Sequence, residues 1–177
     1  SNEEMIFIEM CQHPKSVTLL IKGGTEHVAE EIRRAVTDAI GDCIATIKYG
    51  KVVAGAGAIE MELAKGLKSY ASTLSGREQL AVQAFAEAME IIPRTLAENA
   101  GIDPIDVLTK LRSEHDQNNK WAGLNVFTGD VMNAWEDGVI EPLKIKTQAL
   151  SAAAEVAEMI LRIDDVIMGG SDNQQPH

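Results

Sequence analysis

The sequence predicts a mainly α-helical protein with a small α+β segment at its N-terminus. Three observations carry the prediction. Apolar residues recur at helical spacing over more than five turns between Val28 and Ile47, and two further helical stretches, about 77–90 and 143–161, are rich in alanine. Aromatic residues are only 4% of the 177, against 45% hydrophobic residues overall, so the core is aliphatic. That length fits one compact domain with a smaller attachment.

Taken in order, residues 5–11 and 16–21 are β-rich runs separated by a turn at His13-Pro14. Thr25 is placed to cap the first long helix, and Tyr49-Gly50 closes it with glycine just past its end. Val52-Val53-Ala54 then meets a glycine-broken turn, Gly55-Ala56-Gly57, and a second helix runs over about 58–73. A third covers about 77–90. Ile91-Ile92-Pro93 should end it, because the residue before proline avoids the α region, leaving a short helix over 94–100. Asp103-Pro104 restarts the chain with a cap and a first-turn proline, giving a helix to about 116. Residues 117–123 are loop-like, 125–127 a short strand, 130–136 a small helix and 139–142 extended. A long alanine-rich helix occupies 143–161, a strand 163–167, and 169–177 is a tail.

The charge balance excludes whole classes of partner. With 16 basic and 27 acidic residues the formal net charge is −11, so nucleic acid and anionic membrane surfaces, which require a basic footprint, are not expected partners. No run approaches the length of a membrane span, and no secretion signal is visible. Ser1-Asn2 reads as a scar of tag removal. Cys11 and Cys43 have no CxxC context and read as reduced thiols packed like small apolar residues in a cytoplasmic protein.

Few residues carry chemistry on spacing alone. Gly55 and Gly57 free the backbone before a helix, where unpaired amides favour anions, so Gly55-Ala56-Gly57 forms a nucleotide-compatible corner. The motif matches only half of a dinucleotide fingerprint, which argues against a Rossmann enzyme. Asp38 lies on the polar face of the first helix, about 130° from the centre of its apolar stripe. It is either one end of a solvated ion pair with Arg34 or a carboxylate that orients water or holds a metal ion. Glu141 either supports the following helix or accepts hydrogen bonds from ribose hydroxyls. Asn125 reads equally as a turn residue. The four histidines share no ligand spacing, so no protein-borne metal site is expected.

Longer stretches say more. Val17-Thr-Leu-Leu-Ile-Lys-Gly-Gly-Thr-Glu-His-Val28, Lys51-Val-Val-Ala-Gly-Ala-Gly-Ala58, Ser75-Gly-Arg-Glu-Gln-Leu-Ala81, Ile92-Pro-Arg-Thr-Leu-Ala-Glu-Asn-Ala-Gly101 and Gly138-Val-Ile-Glu-Pro142 together resemble the group II chaperonins, archaeal thermosome subunits above all. Arg162-Ile-Asp-Asp-Val-Ile167 is similar to the end of those chains. The resemblance covers the last third or so of such a subunit and implies a chaperonin equatorial-type helical bundle with a small intermediate-domain segment. It divides the chain into 1–15 (scar and end of the apical domain), 16–49 (second half of the intermediate domain), 50–168 (second half of the equatorial ATPase domain) and 169–177 (tail).

The same resemblance implies roles. Asp38 stands where the family keeps its hydrolytic aspartate. Gly55, Ala56 and Gly57 match the glycine-rich turn by the nucleotide, with Ala56 in place of a usual glycine. Asn125 and Val126 match the adenine side, and Glu141 the ribose contact. ATP or ADP with Mg²⁺ is the implied cofactor. Other subunits of a double ring, and unfolded proteins held by the apical domain, are the implied partners. The family's phosphate-binding Gly-Asp-Gly-Thr-Thr loop does not occur in these 177 residues. The expectation is therefore part of an ATP-dependent folding machine, inactive as an ATPase by itself and prone to self-association through apolar surface that lacks its usual cover. The alternative is a short binding or assembly module on the same helical scaffold.

Overall fold

A computed structural model describes Met10, Gln12 and residues 15–164. The chain divides into two compact units, Ser1–Gly41 and Asp42–His177.

In the first unit, helix α1 (Glu26–Tyr49) begins where the sequence placed it, with the Val28 amide donating to Thr25 Oγ1 at 3.3 Å. Residues 16–21 form no strand, contrary to the β-rich reading. A strand needs a partner for its backbone groups, and among the described residues none pairs with this run. The run over 5–11 lies outside the described residues, Met10 apart. Arg34 pairs with Glu31 at 2.9 Å rather than with Asp38.

The second unit holds the rest of α1 and, among the described residues, all the packed core. The apolar stripe of α1 is regular, yet no residue of the helix is buried. Cys43 is exposed, not packed as expected, and Cys11 lies outside the described residues. Gly50, at φ 66°, terminates α1, its amide donating to Thr46 O at 2.7 Å.

Strand β1 (Val52–Ala54) leads through the glycine turn into α2 (Ala58–Ala71), which packs on α3 (Gly76–Asn99). Alanines make the approach close: Ala58, Ala64, Ala71, Ala86 and Ala97 are all fully buried. Helix α3 runs straight through Pro93, so the expected break at 91–93 does not occur. An interior proline costs a helix about 3 kcal/mol. Here its ring is buried against Gly57, where a Cβ would come within 2.8 Å of Pro93 Cβ, and that packing offsets the missing hydrogen bond.

Helix α4 (Pro104–Asp116) starts as predicted, with Asp103 accepting from the amides of Ile105 and Asp106. It completes the main cluster, in which Met61, Ala97, Val107, Leu111 and Leu124 meet. Two polar ties bind these helices. Glu90 of α3, almost wholly buried, accepts from Lys68 of α2 at 2.6 Å and from Arg112 of α4. Burial alone would raise the Glu90 pKa, but the hydrogen bonds from Arg112 and Lys68 outweigh it and hold the carboxyl below its ordinary 4.5. Buried His115 sets Nδ1 2.7 Å from Glu62 and donates from Nε2 to the Ala122 carbonyl at 3.0 Å.

Beyond α4 the local readings shift by a few residues. Strand β2 is Ala122–Leu124 rather than 125–127, and it pairs with β3 (Val131–Asn133), which replaces the small helix expected at 130–136. Asn125 makes the turn between them, its Oδ1 accepting from the amides of Phe127 at 3.0 Å and Thr128 at 3.3 Å. Strand β4 (Ile140–Pro142) pairs antiparallel with β1, and α5 (Leu143–Leu161) follows with the bounds expected. The predicted strand over 163–167 falls largely outside the described residues.

Candidate functional site

Two strand pairings assemble the site. Register in the β1–β4 pair sets Glu141 opposite Val53, two residues before Gly55, although the two lie far apart in sequence. The Gly55 amide donates to Val139 O at 2.8 Å, and the Leu124 amide to Ala56 O at 2.9 Å, so the glycine turn is stitched to β4 on one side and to the β2–β3 hairpin on the other. Asn125 and Val126 directly follow β2 and therefore arrive at the same turn.

Close approach explains the small residues. A Cβ on Gly55 would lie 2.9 Å from Glu141 Oε1, and a Cβ on Gly123 would lie 2.8 Å from Ala56 Cβ. Gly57 and Ala56 both take left-handed backbone, at φ 78° and 54°. For Ala56 that conformation carries a steric cost of about 1–2 kcal/mol, which a glycine would not incur. Together with Trp121 and Met132, Ala56 packs against a second small core of Ala54, Ala58 and Ala134.

These elements enclose a cavity of about 690 Å³, within the range of small-molecule sites. Ile92 and Leu96 of α3, with Leu124, Met132 and Val139, form its apolar walls. Asn125, Asp137, Glu141 and Lys146 supply polar groups. Asn125 uses its Oδ1 within the turn, which leaves its Nδ2 as a donor. Lys146 of α5 reaches Glu60 at 2.7 Å and Glu141 at 2.8 Å. Burial would lower the Lys146 pKa, but hydrogen bonds to Glu141 and Glu60 outweigh it and raise it above 10.5.

The start of α2 is less open to an anion than the glycine corner suggested. Gly57 lies against Pro93, and Glu60, in the first turn, is a buried carboxylate already at the positive end of the helix.

Of the residues singled out in the sequence, Ala56, Gly57, Asn125, Val126 and Glu141 line this one cavity, and Gly55 lies against Glu141 Oε1 without lining it. Asp38 belongs to the first unit, where it is exposed on α1 and has no hydrogen bond or ion pair among the described residues. Sequence reasoning missed Ile92, Leu96, Asp137 and Lys146. The first two stand one helical turn apart on α3, a signal hidden by the break expected at Pro93. Lys146 sits in the first turns of α5, five residues after Glu141, a spacing with no motif attached.

A helical protein whose ligand-sized cavity is built from a glycine turn, a hairpin and a strand-borne carboxylate is the class that fold and site define. Comparison with known proteins places it further. The TCP-1/cpn60 chaperonin family matches residues 1–171. A thermosome subunit of Methanothermococcus thermolithotrophicus is 62% identical over 168 residues, covering 94% of this chain and 31% of that protein. The thermosome subunit beta of Methanothermobacter thermautotrophicus is 60% identical over 171 residues, or 97% and 32%. Among solved structures, the open-state monomer of a group II chaperonin from Methanococcoides burtonii aligns with a TM-score of 0.69 and 58% identity, over 86% of this chain and 38% of that one. The chain belongs to the TCP-1/cpn60 chaperonin family, as a group II member, and spans about a third of the length of the curated relatives it matches.

Proposed function

We propose that this chain carries the adenine and ribose side of the ATP site of a chaperonin subunit that assists protein folding in the cytoplasm. The convergence of Ala56, Gly57, Asn125, Val126 and Glu141 on one cavity is the observation that carries this reading. The cavity suits a nucleoside. Its walls are apolar enough for a base, Asn125 Nδ2 is a donor for a ring nitrogen, and Glu141 Oε1 is an acceptor for a ribose hydroxyl. By the same reading residues 16–49 belong to the intermediate domain and 50–168 to the equatorial domain, with Asp38 the residue that orients water for hydrolysis. Partners are other subunits of a double ring, and unfolded proteins are bound through an apical domain.

A triphosphate with Mg²⁺ does not fit the lining of this cavity. Among the described residues Lys146 is its one lining cation, and both Glu60 and Glu141 already hold it. No three His, Cys, Asp or Glu side chains converge to bind a metal among the described residues. No Gly-Asp-Gly-Thr-Thr loop occurs in the sequence. We therefore assign phosphate binding to residues outside this sequence.

The test is turnover of Mg-ATP by the 177-residue chain, with Asp38→Ala as control. The proposal expects the same background rate from both. Turnover abolished by Asp38→Ala would mean that this chain grips phosphate itself, and the division of the site would be wrong.

A further inference from the structure

We infer that Lys146 is a positioning residue for Glu141: anchored on buried Glu60, it holds one oxygen of Glu141 so that the other is presented to a ribose hydroxyl. The inference rests on the nucleoside reading of the cavity. Its structural basis is a chain of four residues from separate elements. Glu60, in the first turn of α2, is 3% exposed. Its Oε1 holds Lys146 Nζ at 2.7 Å, while its Oε2 has no partner. The same Nζ lies 2.8 Å from Glu141 Oε2. Glu141 Oε1 rests over Gly55, at 2.9 Å from where a Cβ would stand, and accepts no hydrogen bond from any described residue.

A glutamate carboxylate on a half-buried strand end has three rotatable torsions before its oxygens, and fixing them in advance removes entropy that a ligand would otherwise lose on binding. Lys146 does this with a buried anchor, so the aim of Glu141 is tied to the start of α2. Burial of the ammonium among two carboxylates strengthens both pairs relative to water. The shift of Lys146 to higher pKa agrees with that arrangement.

The experiment has two arms. In the first, adenosine and adenine are titrated calorimetrically into the 177-residue chain and into Lys146→Met. Because Lys146→Met strands the Glu60 carboxylate, Glu60→Gln/Lys146→Met is run beside it. The expected result is a loss of about fivefold or more in the preference for adenosine over adenine, with adenine affinity unchanged and Lys146→Arg restoring part of the preference. An undiminished preference in both variants would overturn the inference and leave the nucleoside reading standing. Failure of the parent chain to bind either compound would sink the nucleoside reading instead.

The second arm needs no ligand. Gly55→Ala should lower Tm because Glu141 is held against the new methyl, and in the Glu60→Gln/Lys146→Met background that loss should shrink by about half. Strictly additive Tm losses would show that Lys146 does not hold Glu141, whatever binds in the cavity.

Discussion

Helices α3 and α5 look alike in sequence and behave differently in the fold. Both are long, alanine-rich and apolar along one side. Yet α3 buries Ala86, Met89, Glu90, Pro93 and Ala97 against α2 and α4, whereas α5 buries nothing, leaving Ile160 61% exposed. Amphipathic periodicity specifies that a helix forms and which side seeks cover; it does not supply the cover. Helix α5 is held at its start by β4 and by Lys146, and its later turns carry Val156, Met159 and Ile160 to the surface. The cavity lies where the covered and uncovered parts meet, with Ile92 and Leu96 from α3 on one wall and Lys146 from α5 on another.

Mutations should separate the two helices by stability. Leu111→Ala, in the cluster that covers α3, should cost about 2–5 kcal/mol in urea unfolding followed by circular dichroism. A cost near that of a surface change would mean that this core is not formed. Gly57→Ala, at φ 78° and with Pro93 in the way, should cost about 2–4 kcal/mol, combining left-handed strain with overpacking against α3. If it is tolerated, Pro93 does not seat on the turn.

Acid should loosen the α3 side. The Glu90 carboxyl is held below 4.5 in the folded state, against burial, by Arg112 and Lys68. Its contribution is therefore fully present above 4.5 and is lost as pH falls through the lower folded value. Urea midpoints measured between about pH 3 and 7 should fall on acidification, and Glu90→Gln should flatten that fall. An equally steep fall in Glu90→Gln would assign it to other carboxylates. On α5, by contrast, Ile160→Lys should change unfolding free energy by less than about 0.5 kcal/mol. It should instead reduce association of the chain measured by light scattering, since exposed apolar patches drive self-association. A parent chain that is monomeric at every concentration would contradict that expectation.

How much the sequence revealed follows the same division. Where structure depends on near neighbours, as in the Asp103-Pro104 start of α4, the Gly50 end of α1 and the span of α5, local chemistry sufficed. Where it depends on distant packing, local rules failed. Pro93 stays helical because Gly57 receives it, and residues 16–21 have strand composition but no ladder partner among the described residues. The β2–β3 hairpin was shifted because Asn125 spends its side chain on the turn, a choice that spacing cannot show. The glycine turn, Asn125 and Glu141 were legible as candidate site residues through a family resemblance, not through their spacing, and what the structure adds is that Ala56, Gly57, Asn125 and Glu141 line one cavity. Lys146 was not, because its role exists only once β4 brings Glu141 beside Gly55.

The most direct test of the central claim is an amide chemical-shift map of the 177-residue chain titrated with adenosine. The account predicts perturbations confined to Ala56, Gly57, Asn125, Val126, Glu141 and Lys146 and their immediate neighbours. Perturbations centred on the α3–α4 groove at Glu87, Arg94 and Arg112, or none at saturating adenosine, would contradict it.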